Sequence, residues 1–193
     1  MAEPGAGSPG RAGLWLWRHP RAQGAAGRCI GQTNLPVDRR RAKRLAHRIR
    51  STARQHGLPR VVWTSPLLRC ADVGRWLARW GWQHRVDARL LELDFGHWDG
   101  QPWTAIPHAE VAAWEADFAQ HAPGGGESLA ALLARCRQFI AEQGGGAPLL
   151  VVAHAGWMQA SALASADGLQ ASSWPPAPRH GALVQRGAGD SGS

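Results

Sequence analysis

Short apolar runs alternate with longer segments of helical periodicity along this chain, and this alternation most limits the possible folds. The runs at residues 14–17, 61–63, 149–152 and 182–184 are typical of buried strands, and a further short strand is expected around Val86. Helices are expected at residues 39–55, 67–80, 128–143 and 156–166, with weaker helical character at 111–118. Strands that alternate with helices predict an α/β protein: a three-layer α/β/α sandwich with a mostly parallel central sheet and helices on both faces.

The length of 193 residues suits one domain, which we expect at residues 14–186. Residues 1–13 and 187–193 are rich in small residues and are expected to form flexible tails. No stretch approaches the roughly 20 apolar residues of a membrane span, and no secretory signal is visible, so a cytoplasmic protein without a membrane partner is expected. Cys29, Cys70 and Cys136 are too far apart for a disulfide framework or a Cys-x-x-Cys zinc site, which fits a reducing compartment.

The chain is basic, with 22 Lys and Arg against 14 Asp and Glu, a net charge of +8. Lys43 is the only lysine, so the excess comes from arginine. The arginines are spread along the chain rather than clustered, which favours a compositional bias or a small anionic substrate over nucleic acid.

Charged and titratable residues follow three of the expected strands. Arg18 and His19 follow the first, Arg69 comes shortly after the second, and His154 follows the strand at 149–152. Ligands of α/β sheets bind outside the carboxyl ends of the strands, so these side chains are expected to converge. Imidazole can act as a nucleophile and arginine holds phosphate oxygens bidentately, so the set suits phosphoryl chemistry.

A leaving alkoxide needs an acid, which the loop after residue 90 can supply. Its carboxyl groups, Glu92 and Asp94, are equal candidates on the residues alone. Arginines and histidines neutralise phosphate oxygens, so neither a metal nor a cofactor is expected.

Five short motifs occur in the order seen in one known family. Arg18-His19-Pro20 resembles its Arg-His-Gly signature, and residues 64–70 resemble its Ser-Pro-Leu-x-Arg-Cys run. Residues 91–100 are similar to its Leu-x-Glu-x-x-x-Gly-x-Trp-Glu-Gly segment, residues 123–128 to its Pro-Gly-Gly-Glu-Ser loop, and residues 151–156 to its closing His-x-Gly motif. The chain therefore resembles the histidine phosphatase superfamily, which has the phosphoglycerate mutase-like fold.

The resemblance implies a role for each matched residue. His19 would be the nucleophile that forms a phosphohistidine, and Arg18, Arg69 and His154 would bind the phosphoryl oxygens. Glu92 would protonate the leaving group and then activate the attacking water. The expected partner is thus a small phosphorylated substrate, and a homodimer is left open.

The chain departs from the family pattern after the nucleophile. Pro20-Arg21-Ala22-Gln23 replaces the usual Gly, acid and Thr, so a backbone N–H and a hydroxyl are lost. Arg21 is a candidate substrate contact or an exposed residue. Residues 27–37 resemble the α-ribazole phosphatase branch of cobalamin biosynthesis, which implies substrate contacts by Gln32, Thr33 and Asn34.

The resemblance implies a metal-independent phosphatase that removes the phosphate from α-ribazole 5′-phosphate or its cobamide phosphate, and two alternatives are open. A phosphoglycerate mutase, or a broad-specificity phosphatase for sugar phosphates or phosphoproteins, is one alternative, although the short interval between Glu92 and Pro123 favours a phosphatase. A catalytically degenerate binding protein is another.

Trp98 and Trp103, near Glu92 in sequence, are candidates to stack on an aromatic leaving group.

Overall fold

A five-stranded sheet forms the centre of the computed structural model, which describes residues 13–187. Its strands are β1 (Gly13–Arg18), β2 (Val61–Thr64), β3 (Gln83–Val86), β4 (Leu149–Ala153) and β5 (Leu183–Gly187). They lie in the order β3-β2-β4-β1-β5, with every neighbouring pair parallel except β1 and β5. The mostly parallel sheet predicted from the sequence is confirmed.

Between residues 13 and 187, five α-helices connect the strands. They are α1 (Arg39–Gln55), α2 (Leu68–Ala78), α3 (His108–Ala116), α4 (Leu129–Gln143) and α5 (Ala155–Ala160). Asp38 caps α1, since its side chain accepts a hydrogen bond from the N–H of Arg41, and Ser128 caps α4 by accepting from Ala131.

The strand β4 shows why the molecule has three layers. Leu149, Val151 and Ala153 point into a core with α4 and α5, whereas Leu150 and Val152 point into a second core with α1 and α2. Side chains alternate between the two faces of a strand, and here both faces are covered by helices. This confirms the predicted α/β/α sandwich.

The last predicted helix is shorter than the sequence suggested. We expected it over residues 156–166, but α5 ends at Ala160. Side-chain hydrogen bonds replace the helical ones: the hydroxyl of Ser161 donates to the Met158 carbonyl, and that of Ser165 donates to Asp167. Local hydrogen bonds of this kind compete with the helix, so residues 161–182 run as a loop with one short 3₁₀ turn.

The tails expected at residues 1–13 and 187–193 lie outside the described residues, apart from Gly13 and Gly187. Those two residues pair with each other at the ends of β1 and β5, so they belong to the sheet. No helix within residues 13–187 is long and apolar enough to cross a membrane.

The topology places a crevice at the carboxyl ends of β1 and β4. These strands are adjacent and parallel, with Arg18 paired to Ala153. The chain leaves β1 towards α1 on one face of the sheet and leaves β4 into α5 on the other. Such a topological switch point is where α/β sheets bind ligands, and His19 and His154 are the residues that follow the two strands.

Candidate active site

His19 is held rigidly just beyond β1. Its backbone N–H donates to the Ala153 carbonyl at 3.0 Å, which continues the pairing with β4. Its ring Nδ1 lies 2.7 Å from the Pro20 carbonyl oxygen. Because a carbonyl only accepts, Nδ1 carries the hydrogen, and the lone pair of Nε2 is left for attack on an electrophile.

The electrostatics of the site keep both of its central histidines neutral. Burial, and next the Arg69 guanidinium, lower the pKa of His19 well below its usual value of 6.5. The same two causes lower the pKa of His154. Since only the neutral imidazole has a free lone pair, the environment favours a nucleophilic His19 at neutral pH.

Arg69 connects the loop after Ile30 with His154. This guanidinium, at the start of α2, is almost completely buried. Its Nε donates to His154 Nδ1 at 3.1 Å, while its two Nη atoms donate to the carbonyls of Thr33, at 2.7 Å, and Gly31. The His154 ring is itself fully buried, and its centroid is 5.0 Å from that of His19.

Arg18, the residue before His19, is anchored by the loop that precedes β5. Its Nη1 donates to the Pro178 carbonyl at 2.6 Å. Its Nε is buried and has no hydrogen-bond partner among residues 13–187. Burial lowers the pKa of this guanidinium, but an arginine remains charged at neutral pH.

Glu92 is oriented by backbone N–H groups. Its Oε1 accepts from Leu93 at 3.1 Å and from Trp157 at 3.2 Å, and its Oε2 accepts from Gly156 at 3.1 Å. Asp94, the other candidate acid, instead accepts from the N–H of Gly96. Glu92 lines the cavity of the site and Asp94 is not among the lining residues, so the geometry favours Glu92 as the acid.

A cavity of about 420 Å³ opens in front of His19. Arg18, Arg69 and Glu92 line it together with His19. His154 is not among the lining residues, so its contact with the phosphoryl oxygens stays a prediction. Arg21 lines it as well, and so does Trp103, one of the two tryptophans predicted to stack on a substrate. Trp98 is buried elsewhere, and its indole N–H donates to Glu110 at 2.6 Å.

The other three predicted substrate contacts lie outside the described cavity wall. Gln32 Nε2 donates to the Glu92 carbonyl at 3.3 Å, and Thr33 Oγ1 donates to Asp99 at 2.8 Å. Asn34 Oδ1 accepts from the Leu68 N–H at the start of α2. In this structure these side chains brace the site, so their contact with substrate stays a prediction.

Asp99 is a supporting residue that the sequence did not single out. Its carboxylate accepts from the N–H groups of Gly31, Gln32 and Thr33 at 2.6 to 3.0 Å. It therefore shapes the loop whose carbonyls hold Arg69. Its place in the Trp98-Asp99-Gly100 motif was the one signal that could have identified it.

Arg135 and His180 are two further residues near the site that the sequence did not single out. Arg135, on α4, donates to the carbonyls of Arg89, Leu91 and Glu92 and to the Glu127 carboxylate, so it braces the loop that carries Glu92. The ring of His180 lies 5.3 Å from that of His19, and its Nδ1 is 3.3 Å from the His19 carbonyl oxygen. Neither residue belongs to a motif, so no sequence signal indicated its role.

Within residues 13–187, no group of three or more His, Cys, Asp or Glu side chains could hold a metal ion. The absence of a cofactor stays a prediction.

The fold and the paired histidines at its switch point define a protein of the phosphoglycerate mutase-like class. The chain belongs to the histidine phosphatase superfamily (branch 1), whose sequence profile matches residues 14–184. This confirms the superfamily to which the five motifs pointed.

Relatives within this superfamily include the glucosyl-3-phosphoglycerate phosphatase of Mycobacterium tuberculosis. It is 34% identical over 137 residues, which cover 61% of this chain and 58% of the relative. The chain thus matches somewhat more than half the length of that curated relative.

Solved structures show the same fold over nearly the whole chain. A native mycobacterial glucosyl-3-phosphoglycerate phosphatase has a TM-score of 0.70 at 29% identity, covering 91% of this chain and 89% of that one. Its complex with VO3 has a TM-score of 0.73 at 30% identity, covering 91% of this chain and 92% of that one. A protein from Thermus thermophilus has a TM-score of 0.65 at 29% identity, covering 90% of this chain and 92% of that one. None of these relatives is named an α-ribazole phosphatase, so they do not support that branch.

Proposed function

We propose that this protein hydrolyses phosphate monoesters through a phosphohistidine on His19. One observation carries the proposal: a neutral histidine, whose Nδ1 hydrogen is held by the Pro20 carbonyl, adjoins a cavity shared with Arg18, Arg69 and Glu92. Membership of the histidine phosphatase superfamily supports it.

The first half of the reaction transfers the phosphoryl group to the protein. Arg18 and Arg69 hold the oxygens of the phosphate, and the Nε2 lone pair of His19 attacks phosphorus. The bond from phosphorus to the ester oxygen breaks as the protonated Glu92 carboxyl gives its proton to that oxygen. The alcohol leaves, and the phosphoryl group stays on Nε2.

The second half restores the enzyme. Glu92, now a carboxylate, removes a proton from water as the water oxygen attacks phosphorus, and the bond to Nε2 breaks. Inorganic phosphate leaves, with His19 neutral and Glu92 protonated again. Uncatalysed monoester hydrolysis is so slow that the site must lower the barrier by on the order of 20 kcal/mol, most of it by positioning and charge neutralisation.

Two substrates are the first to compare. The name of the mycobacterial relatives supports glucosyl-3-phosphoglycerate, and the resemblance of residues 27–37 supports α-ribazole 5′-phosphate.

A cytoplasmic location is also part of the proposal, and the three buried cysteines, all without disulfides, support it.

The test is phosphate release from both substrates and from a generic aryl phosphate, with and without a chelator, by the wild type, His19→Gln and His108→Gln proteins. His108 lies exposed at the start of α3 and makes a matched control. We expect release that is insensitive to the chelator and is lost only in His19→Gln. Full activity of His19→Gln would overturn the phosphohistidine, and no release by the wild type would favour the binding-protein alternative.

A further inference from the structure

The cavity in front of His19 continues into a wall of aromatic rings. Trp103 contacts Phe95, Phe95 contacts Trp114, Trp114 contacts Phe118 and Phe118 contacts Trp174, with ring centroids 5.1 to 6.0 Å apart. All five line the cavity. We call these five side chains the aromatic wall. It uses two of the chain's three phenylalanines, so aromatic residues are concentrated beside the nucleophile.

The side chains around the aromatic wall offer little hydrogen bonding. Within the wall, the donors are the indole N–H groups of its tryptophans, and Trp114 Nε1 is buried without a hydrogen-bond partner among residues 13–187. The nearby lining residues are Ala25, Ala26, Gly27, Ile30, Leu93 and Leu129. The chain has no tyrosine, so the wall carries no phenol group. Histidines and indoles apart, the uncharged polar side chain of the described lining is that of Gln159. Its amide donates to the Pro175 carbonyl and so holds the segment that carries Trp174.

The charged lining residues lie at the catalytic end or at exposed positions. Arg18, His19, Arg69 and Glu92 form the proposed catalytic group. Arg21 and Arg28 are exposed, and Arg28 Nη1 donates to the Gly100 carbonyl at 2.8 Å. A substrate whose phosphorus lies at His19 must place its alcohol in the rest of the cavity, against the aromatic wall.

We propose that the preferred substrates are phosphate monoesters of alcohols that carry a flat apolar group, such as an aromatic ring system. This inference rests on the proposed function and names its substrate class. Flat rings gain from contact with aromatic side chains in edge-to-face or offset arrangements, and burying their apolar surface favours binding.

Polyhydroxylated or carboxylated alcohols fit this wall less well. One face of a sugar can lie against tryptophan, but its hydroxyl groups need partners when they are buried, and unpartnered polar groups lose their hydrogen bonds to water. A carboxylate needs a cation, which the aromatic wall itself does not carry; Arg21 and Arg28 line the same cavity at exposed positions. The structure therefore predicts a preference that the name of the mycobacterial relatives does not suggest.

The test compares alkyl phosphates whose alcohols differ in shape but little in leaving-group basicity. Kinetics are measured with 2-(1-naphthyl)ethyl phosphate, glycerol 3-phosphate and 3-phosphoglycerate. Because a fused ring system buries far more apolar surface than glycerol, we expect kcat/KM for the naphthyl ester to be about 100-fold higher.

Two matched substitutions locate the preference. Trp103 is 42% exposed, so Trp103→Ser removes part of the aromatic wall with little risk to folding. We expect it to reduce the ratio of kcat/KM for the naphthyl ester to that for glycerol 3-phosphate about 10-fold. Trp76, on α2 beside Arg39, Lys43 and Arg79, lies away from this cavity. Trp76→Ser is expected to keep the ratio of the wild type.

The outcomes separate the two proposals. If no ester releases phosphate and His19 is never phosphorylated, the proposed function fails. If glycerol 3-phosphate or 3-phosphoglycerate is hydrolysed as efficiently as the naphthyl ester, the function stands and the substrate class is overturned. An equal change of the ratio in Trp103→Ser and Trp76→Ser would also overturn it.

Discussion

At Gly156 the backbone approaches the Glu92 carboxylate so closely that a side chain fits only if the carboxylate moves. A Cβ built at this position would lie 2.5 Å from Glu92 Oε1. We expect Gly156→Ala to displace the carboxylate and to lower kcat about 10- to 100-fold, since small displacements of a catalytic group are costly. Steady-state kinetics on an aryl phosphate measure the effect.

The control for this prediction is Gly145→Ala. Gly145 has an ordinary φ, and a Cβ there meets nothing within 4 Å. We expect wild-type kinetics from Gly145→Ala. Equal kcat values for the two alanine variants would contradict the positioning of Glu92 by the Gly156 backbone.

His180 gives a second prediction at the scale of one residue. Its Nδ1 donates to the carbonyl oxygen of His19, since a carbonyl can only accept. Asparagine can present an N–H in a similar place and alanine cannot. We expect His180→Ala to lower kcat about 10-fold because His19, the proposed nucleophile, loses an anchor, and His180→Asn to restore much of it. The same kcat for both variants would argue against an anchoring role.

At the scale of elements, Arg135 joins α4 to the loop that carries Glu92. It bonds three carbonyls of that loop and pairs with Glu127 at 2.6 Å, and both side chains are largely buried. We expect Arg135→Gln to lower the free energy of unfolding by about 2 to 3 kcal/mol, because charged hydrogen bonds are lost and Glu127 is left unpaired. We also expect the fold-decrease in kcat to be larger than the fold-change in KM.

A surface pair provides the comparison for Arg135. Arg75 pairs with Asp72 at 2.6 Å on α2, where the Arg75 side chain is exposed and the Asp72 side chain is partly exposed. Exposed pairs contribute little, so Arg75→Gln should change the free energy of unfolding by less than about 0.5 kcal/mol. Urea unfolding of both variants gives the two values. A similar loss in each would show that Arg135 is no more than a surface charge.

The strands and the residues that follow them could be predicted because their signals are local. The apolar run at 149–152 indicates a buried strand, and the polar residues after each strand fall at one edge of the sheet through topology alone. The end of α5 could not be predicted, because it depends on side-chain hydrogen bonds of Ser161 and Ser165 rather than on periodicity.

The parts of the site that the sequence did not reveal depend on contacts between distant segments. His180 is 161 residues from His19, yet the two rings lie side by side. The aromatic wall combines Phe95 with Trp174, which come together only after the chain has folded. Each aromatic residue alone is more typical of a core than of a binding site, so composition could not separate the two roles.

At the scale of the whole molecule, the buried histidines make the protein sensitive to acid. The pKa values of the buried His19 and His154 and of the half-buried His84 are all lowered, in each case first by burial. In the unfolded chain these groups take up protons near pH 6.5. Below that pH the unfolded state therefore binds more protons than the folded state, and the free energy of unfolding falls as the pH falls.

We expect this loss of stability between about pH 6.5 and 5, up to about 1.4 kcal/mol per pH unit for each histidine that stays neutral in the folded protein. Asp87, whose pKa is lowered by its hydrogen bonds to Arg89, contributes only at more acidic pH. Urea unfolding of the wild type, His154→Gln and His108→Gln at several pH values tests the cause. Because His154→Gln removes one fully buried group, its curve should be shallower, while His108→Gln, at an exposed position, should parallel the wild type. Parallel curves for all three proteins would mean that the acid sensitivity arises elsewhere in the molecule.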